Sequence, residues 1–230
     1  LFQKYRLISI PVVDMENCMV GIVTFDDAME VYQEEMAEDI ALMAAVQPSD
    51  DSYFGTSVFN HAKHRILWLL FLMLSATITG TIISRYEETI SAIPLLVSFI
   101  PMLMDTGGNC GTQSSTLVIR GIATDEIRFS DLFKVAFKES RIALIVGAAL
   151  AVVNGLRIIV MYQDPRLAIL LGISLMCTVF LAELIGCLLP LLAKKVHLDP
   201  AIMAAPLITT ILDTCTILVY FRIVTAFFHI

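Results

Sequence analysis

Apolar positions along the 230-residue chain fall into two regimes. Up to residue 25 they form short runs rich in β-branched residues and bounded by turn residues, as in strands. Leu7-Ile-Ser-Ile-Pro-Val-Val13 predicts one strand, Asp14-Met-Glu-Asn17 carries turn chemistry, and Met19-Val-Gly-Ile-Val-Thr-Phe25 predicts a second. A helix is expected over about Asp26–Val46, capped by Thr24 or Asp26. Beyond residue 60 the apolar stretches lengthen. Five reach the roughly 20 residues that cross a bilayer: Ile66–Ile83, Ile90–Ile119, Ile142–Tyr162, Arg166–Leu192 and Ala201–Phe228. The second is overlong and interrupted by Pro94, Pro101 and Gly107-Gly108. Such breaks are tolerated at membrane depth only where protein neighbours or a water-filled cavity satisfy the freed backbone groups. The predicted fold class is an all-α polytopic membrane protein with five transmembrane helices, preceded by an acidic helix and a short β–β unit.

Composition agrees. The chain is 57% hydrophobic with a mean hydropathy of +0.81, above the roughly 45–50% apolar share of soluble domains. Charge is low and uneven. Between Leu7 and Ala62 there is no Lys or Arg, yet Asp14, Glu16, Asp26, Asp27, Glu30, Glu34, Glu35, Glu38, Asp39, Asp50 and Asp51 lie there. The net charge of −7 therefore belongs to the N-terminal segment, and nothing resembles a nucleic-acid footprint. Basic residues mark three loops: Lys63 and Arg65; Arg120, Arg128, Lys134, Lys138 and Arg141; Lys194 and Lys195. The positive-inside rule makes those loops and the N-terminus cytoplasmic and the C-terminus external. Cys18, Cys110, Cys177, Cys187 and Cys215 stand singly, four of them in apolar runs, and read as buried reduced thiols. His61 and His64 lie one turn apart without a third ligand. The sequence opens on Leu without a signal peptide and reads as beginning inside a larger protein.

Ionisable residues inside apolar spans are costly and so demand a role. There are three: Asp105, Glu183 and Asp213. On the fifth span Ile202, Pro206, Thr209, Asp213, Thr216 and Tyr220 fall on one side, a stripe suited to line water or to pack on another polar face. The competing reading is a buried salt bridge from Asp213 to Arg157 or Arg222. In the second span Asp105-Thr-Gly-Gly-Asn-Cys-Gly-Thr-Gln-Ser-Ser-Thr116 is too polar to face lipid. Its antiparallel course places Asn109 and Thr112 near the depth of Asp213. Gly107-x-x-x-Gly111 also permits close helix packing, and both roles are expected together. Glu183 is expected to pair with a basic residue of the 120–141 loop. On the cytoplasmic helix Glu34/Glu38, Glu35/Asp39 and Glu35/Glu38 repel one another by a few tenths of a kcal/mol per pair. The face is either simply solvated or neutralised by divalent cations, which would let the helix pack on the membrane domain. All candidate ligands are hard oxygens, which suits Mg²⁺, Ca²⁺ or Mn²⁺. No nucleophile–base pair or catalytic metal cluster is visible, so an enzyme is not expected.

Three motifs carry a family resemblance. Gly107-Gly-Asn-Cys-Gly-Thr-Gln-Ser114 with Ile119-Arg-Gly121, Leu198-Asp-Pro-Ala201 with Pro206-Leu and Asp213, and Glu34-Glu-Met-Ala-Glu-Asp-Ile40 resemble MgtE magnesium channels in that order. Residues 1–30 resemble the end of a second CBS domain. The resemblance implies residues 1–25 as a CBS remnant, 26–60 as a connecting plug helix and linker, and 61–230 as the channel domain. It implies a homodimer in the plasma membrane, with a Mg²⁺ pore between subunits lined by the second and fifth spans. By motif position Asp213 is the ion-site carboxylate, and Thr209 falls where a backbone carbonyl lines the pore. Gly108, Asn109, Thr112, Thr116 and Ala205 are pore-lining. Glu35, Glu38 and Asp39 match inhibitory Mg²⁺ ligands that close the channel when cytosolic Mg²⁺ is high. Mn²⁺, Co²⁺ and Ca²⁺ are further candidates for the same sites, and the rest of the CBS region is a candidate adenine-nucleotide site. An ion-coupled secondary transporter and a non-conducting membrane sensor or scaffold stand as alternatives.

Overall fold

The computed structural model describes residues 1–49, 52–203 and 205–229, except the side chains of Gln3 and Ala205. The side chain of Ala205, expected to line the pore, and the acidic residues Asp50 and Asp51 therefore lie outside the described residues. After one helical turn, α1 (Phe2–Tyr5), the strands β1 (Ser9–Val13) and β2 (Met19–Thr24) pair antiparallel, from Ser9 opposite Thr24 to Val13 opposite Met19. Asp14 closes their turn, its Oδ1 accepting from the main-chain N–H groups of Glu16 and Cys18 at 2.9 Å each. Helix α2 (Phe25–Met43) starts in a capping box. Asp27 N donates to Thr24 Oγ1 at 3.2 Å, and Thr24 N donates to Asp27 Oδ2 at 2.8 Å. Thr24, not Asp26, is thus the cap, and its hydrogen bonds hold the Asp27 carboxyl below the usual range. No residue of α2 is buried.

The membrane part comprises α3 (Val58–Arg85), α4 (Glu87–Ala92), a 3-10 turn (Pro94–Phe99), α5 (Ile100–Ala123), a 3-10 turn (Phe129–Asp131), α6 (Leu132–Tyr162), α7 (Pro165–Lys195), a 3-10 turn (Pro200–Met203) and α8 (Ala205–Phe228). Among the described residues, four helical stretches are long and apolar enough to cross a bilayer: Val58–Arg85, Phe129–Tyr162, Pro165–Lys195 and Pro200–Phe228. The second expected span differs from its prediction. It is divided among α4, the Pro94–Phe99 turn and α5, because Pro94 opens the 3-10 turn and Pro101 sits in the first turn of α5. Proline fits the first turn of a helix, where its missing N–H has no partner to lose. Gly107 and Gly108 interrupt nothing; both lie inside α5.

Helix α7 is central and packs on α5, α6 and α8. One core cluster gathers Leu96, Phe99, Leu103, Leu171, Tyr220 and Phe221. A second joins Val179, Ala182, Ile208 and Leu212, and a third Val118, Ile122, Cys187 and Leu191. Tyr220 donates its hydroxyl to Leu96 O at 3.0 Å, tying α8 to the turn ahead of α5. Helix α3 stands apart, leaning on α8 through a hydroxyl pair, Thr79 Oγ1 to Thr214 Oγ1 at 2.8 Å. Leu67, Leu69 and Leu74 of α3 and Ile145, Val153 and Val160 of α6 face outward. An apolar surface of that extent requires lipid as solvent. All five cysteines are free, with Cys110 and Cys187 buried as expected and Cys18 exposed in the hairpin, where no apolar layer covers it.

Candidate cation site

The polar middle of α5 is accommodated because its glycines let other helices close on it. A methyl group at Gly107 would meet Thr178 Cγ2 at 2.8 Å and Thr216 Oγ1 at 3.0 Å. At Gly108 it would meet Thr209 Cγ2 at 3.1 Å, and at Gly111 it would overlap Leu212 Cδ1 and stand 3.2 Å from Ala182 O. Each interior glycine costs about 1 kcal/mol of helix propensity against alanine. Close approach of α7 and α8 offsets that cost here. The glycine motif is therefore a packing device, and α5 lies in a groove between the other two helices.

On the side left open, α5 and α8 bound a cleft of about 240 Å³ lined by Met104, Asp105, Gly108, Asn109, Thr209 and Asp213. Asp213 is half-buried, while Asp105 and Asn109 are exposed on the open side. Among the described residues no hydrogen bond or ion pair engages the Asp213 carboxyl. The two arginines offered as salt-bridge partners lie elsewhere: Arg157 donates to Asn154 Oδ1 at 3.2 Å and to Met102 Sδ at 3.4 Å, and Arg222 is exposed. Thr209 turns its hydroxyl back onto Pro206 O at 3.1 Å. Its main-chain carbonyl sits within a regular helix, where one lone pair serves the ladder and one remains.

The expected pore residues thus divide. Gly108, Asn109, Thr209 and Asp213 share the cleft; Thr112 and Thr116, further along α5, do not line it. The stripe on α8 divides as well: Thr216 and Tyr220 are buried in the core and only Thr209 and Asp213 reach the cleft. Asp105, one of the three intramembrane carboxylates and given no role by the sequence, joins the cleft four positions, about one turn, before Asn109 on α5. Glu183 requires a correction. It is buried, and the nearest charged group is not basic: its carboxyl lies within hydrogen-bonding reach of Glu139, while Ser114 Oγ contacts Glu183 O at 3.1 Å.

The acidic helix forms a second cluster. Glu34, Glu35 and Glu38 line a groove of about 460 Å³ between α2 and the returning linker at Pro48 and Ser49. Asp39 lies beside the 3-10 turn Pro200–Met203, against which α2 packs. Partial loss of water where α2 packs on that turn, then the charges of Asp199 and Glu35, push its exposed carboxyl above the ordinary range. Asp199 also accepts the N–H of Ala201 at 2.8 Å, which fixes it at the entrance to α8. Sequence reasoning quoted Asp199 within Leu198-Asp-Pro-Ala201 and gave it no role; only the fold brings it beside Asp39.

Comparison with known proteins bears on both clusters. The chain is 35% identical over 229 residues to the magnesium transporter MgtE of Bacillus subtilis, a match covering 100% of this chain and 50% of that protein. It is 36% identical over 225 residues to the Thermus thermophilus MgtE, covering 97% and 49%. To the Enterococcus faecalis MgtE it is 31% identical over 225 residues, covering 98% and 49%. The chain spans about half the length of these relatives. Residues 100–223 match the MgtE family, described as divalent cation transporters, and that stretch runs from the first turn of α5 through most of α8. Since it takes in the whole Asp213 cleft and more than half of the sequence, the chain belongs to the MgtE divalent cation transporter family.

Proposed function

We propose that the chain is the membrane part of a Mg²⁺-selective channel or transporter that admits Mg²⁺ across the plasma membrane, with Asp213 as the carboxylate of its ion path. The observation that carries this reading is the unpaired Asp213 side chain on an apolar helix, facing a cleft with Asp105, Asn109 and Thr209. A carboxylate at membrane depth without a cation partner needs a compensating charge. Mg²⁺ dehydrates reluctantly and is held through one or two carboxylates with its waters retained, and a cleft of about 240 Å³ has room for such a shell. Asn109 and Asp105 supply acceptors to those waters.

In this reading α5 is a fifth crossing. Its 24 residues reach about 36 Å at 1.5 Å per residue, and α7 and α8 shield the polar middle from lipid. Two copies meet so that their α5 and α8 helices face a shared axis, doubling the carboxylates along it. The N-terminus is cytoplasmic and the C-terminus external, as the basic loops suggest. The α2 helix is the regulatory element: a divalent cation held by Glu35, Glu38 and Asp39 would also draw in Asp199 and seat α2 against the entrance to α8. Residues 1–25 belong to a CBS-type sensor whose remainder is a candidate adenine-nucleotide site. The assembly catalyses no chemical reaction.

The test is Mg²⁺ flux into liposomes carrying the purified protein. Asp213→Asn keeps the side-chain volume and removes the charge; it is expected to abolish flux while the protein stays folded and dimeric. Undiminished flux in a folded Asp213→Asn protein would overturn the assignment.

A further inference from the structure

Away from the cation cleft, α5, α6 and α7 bury a second pair of carboxyl groups. Glu139 of α6 is 7% exposed and Glu183 of α7 is 5% exposed. The two lie within hydrogen-bonding reach of each other. Between them stands Ser114 of α5, with its hydroxyl 3.0 Å from Glu139 Oε2 and 3.1 Å from Glu183 O. A hydroxyl carries one hydrogen, and a main-chain carbonyl only accepts. If Ser114 donates to the carbonyl, its contact with Glu139 is a hydrogen bond only when Glu139 donates.

Among the described residues no cation stands within ion-pair distance of either carboxyl. The groups facing it are the thiols of Cys110 on α5 and Cys187 on α7, both free. On the open side Glu139 borders a groove of about 290 Å³, where Arg120, Glu126 and Lys138 are the other charged residues. Among the described residues neither Arg120 nor Lys138 reaches either carboxyl within ion-pair distance. Two carboxylates in contact, buried and without a cation, cannot both stay ionised.

We propose that Glu139 and Glu183 share one proton and form a proton site in the membrane domain, separate from the cation cleft. Water reaches Glu139 through the groove beside Arg120 and Lys138 and supplies or accepts that proton. The bound proton turns a repelling pair into a carboxyl–carboxylate hydrogen bond that joins α6 to α7, with Ser114 joining both to α5. Losing it leaves two negative charges at a three-helix junction. The folded protein then holds a proton that the unfolded chain has released at the same pH, so stability falls as pH rises through the range where the pair ionises. This inference does not rest on Asp213 carrying the ion.

Infrared difference spectra of the full chain in lipid, taken between neutral and alkaline pH, test it. The wild type should show a protonated-carboxyl C=O band at neutral pH that disappears on alkalinisation. Glu139→Gln with Glu183→Gln should lack that band and should flatten the fall of thermal stability with pH. Should the double variant fail to fold, Glu183→Gln alone serves, because Glu139 facing an amide N–H is free to ionise and the band is again lost. A band unchanged in whichever variant folds, or a stability–pH profile parallel to that of the wild type, would overturn the proposal.

Discussion

Gly186 of α7 rests against the backbone of α5. A methyl group placed there would overlap Gly111 O and lie 3.0 Å from Gly111 Cα and 3.1 Å from its carbonyl carbon. None of these atoms can rotate away, as the end of a long side chain would. Restoring ordinary contact of 3.4 Å or more to Gly111 Cα requires α5 and α7 to part by at least about 0.4 Å, the difference between 3.4 and 3.0 Å. Overpacking of that kind costs about 1–3 kcal/mol. Against this, alanine regains about 1 kcal/mol of helix propensity. Because the obstruction is backbone on both sides, the upper part of the range applies. The net loss for Gly186→Ala is therefore about 1–2 kcal/mol. For a chain of this size that is a fall in Tm of about 2–8 °C. The same helix supplies the control. A methyl group at Gly172 would find only Ala151 Cβ, at 3.9 Å, so Gly172→Ala should hold or raise Tm. Both proteins should be measured by thermal unfolding in one detergent and by Mg²⁺ flux in liposomes. Flux should fall with Gly186→Ala, since the displaced α5 carries Gly108 and Asn109. If Gly186→Ala unfolds no earlier than Gly172→Ala, the backbone contact between α5 and α7 does not exist as described.

Three other outcomes are expected. Thr79→Val removes the hydroxyl that meets Thr214 and should cost about 1 kcal/mol, read as a lower Tm; an unchanged Tm in Thr79→Val would mean α3 is held by packing alone. The Asp39 carboxyl is raised by partial loss of water and by the charges of Asp199 and Glu35, so seating of α2 is opposed while Asp39 is ionised and eased as pH falls through its range. Protection of α2 from limited proteolysis should accordingly rise on mild acidification or with added Mg²⁺, and Asp39→Asn should blunt both effects; a pH response identical in Asp39→Asn would place its origin elsewhere. Tyr220→Phe loses the bond to Leu96 O and should cost about 1 kcal/mol, checked by thermal unfolding.

Much of this architecture is written in local pattern. The hairpin, α2, and the four strongly apolar helices need only strand composition, a cap and about 20 apolar residues; their C-terminal ends lie within a few positions of the sequence reading, whereas α3 and α6 begin eight and ten residues earlier than their apolar runs, at Val58 and Leu132. The ends of the second span were harder, because Pro94 and Pro101 can either kink a helix or begin one. Choosing between these depends on what packs against them, here the cluster of Leu96 and Phe99. Asp213 was legible as a lone charge in an apolar run. Asp105 was legible as a charge in an apolar span but not as a neighbour of Asp213; that pairing, the place of Asp199 beside Asp39 and the partner of Glu183 each depend on a different element of the fold. The expectation that Glu183 meets a basic residue followed from charge pairing in general. It failed because α6 turns Glu139, rather than Lys138 or Arg141, toward α7.

The hydroxyl pair between Thr79 and Thr214 has a mechanical consequence. Thr214 is the next residue after Asp213, and Thr79 lies on the helix whose first turns follow the linker from α2. That linker is pinned where Gln47 N donates to His64 O at 3.1 Å. Under the proposed gating, a displacement of the acidic helix would be carried along α3 and reach α8 beside the carboxylate, through the packing of the two helices and this hydrogen bond. Thr214 already donates to Thr210 O at 3.2 Å, and lipid on the outer face of α3 offers no polar partner, so slippage of the two helices would leave the Thr79 hydroxyl to find an acceptor within its own helix.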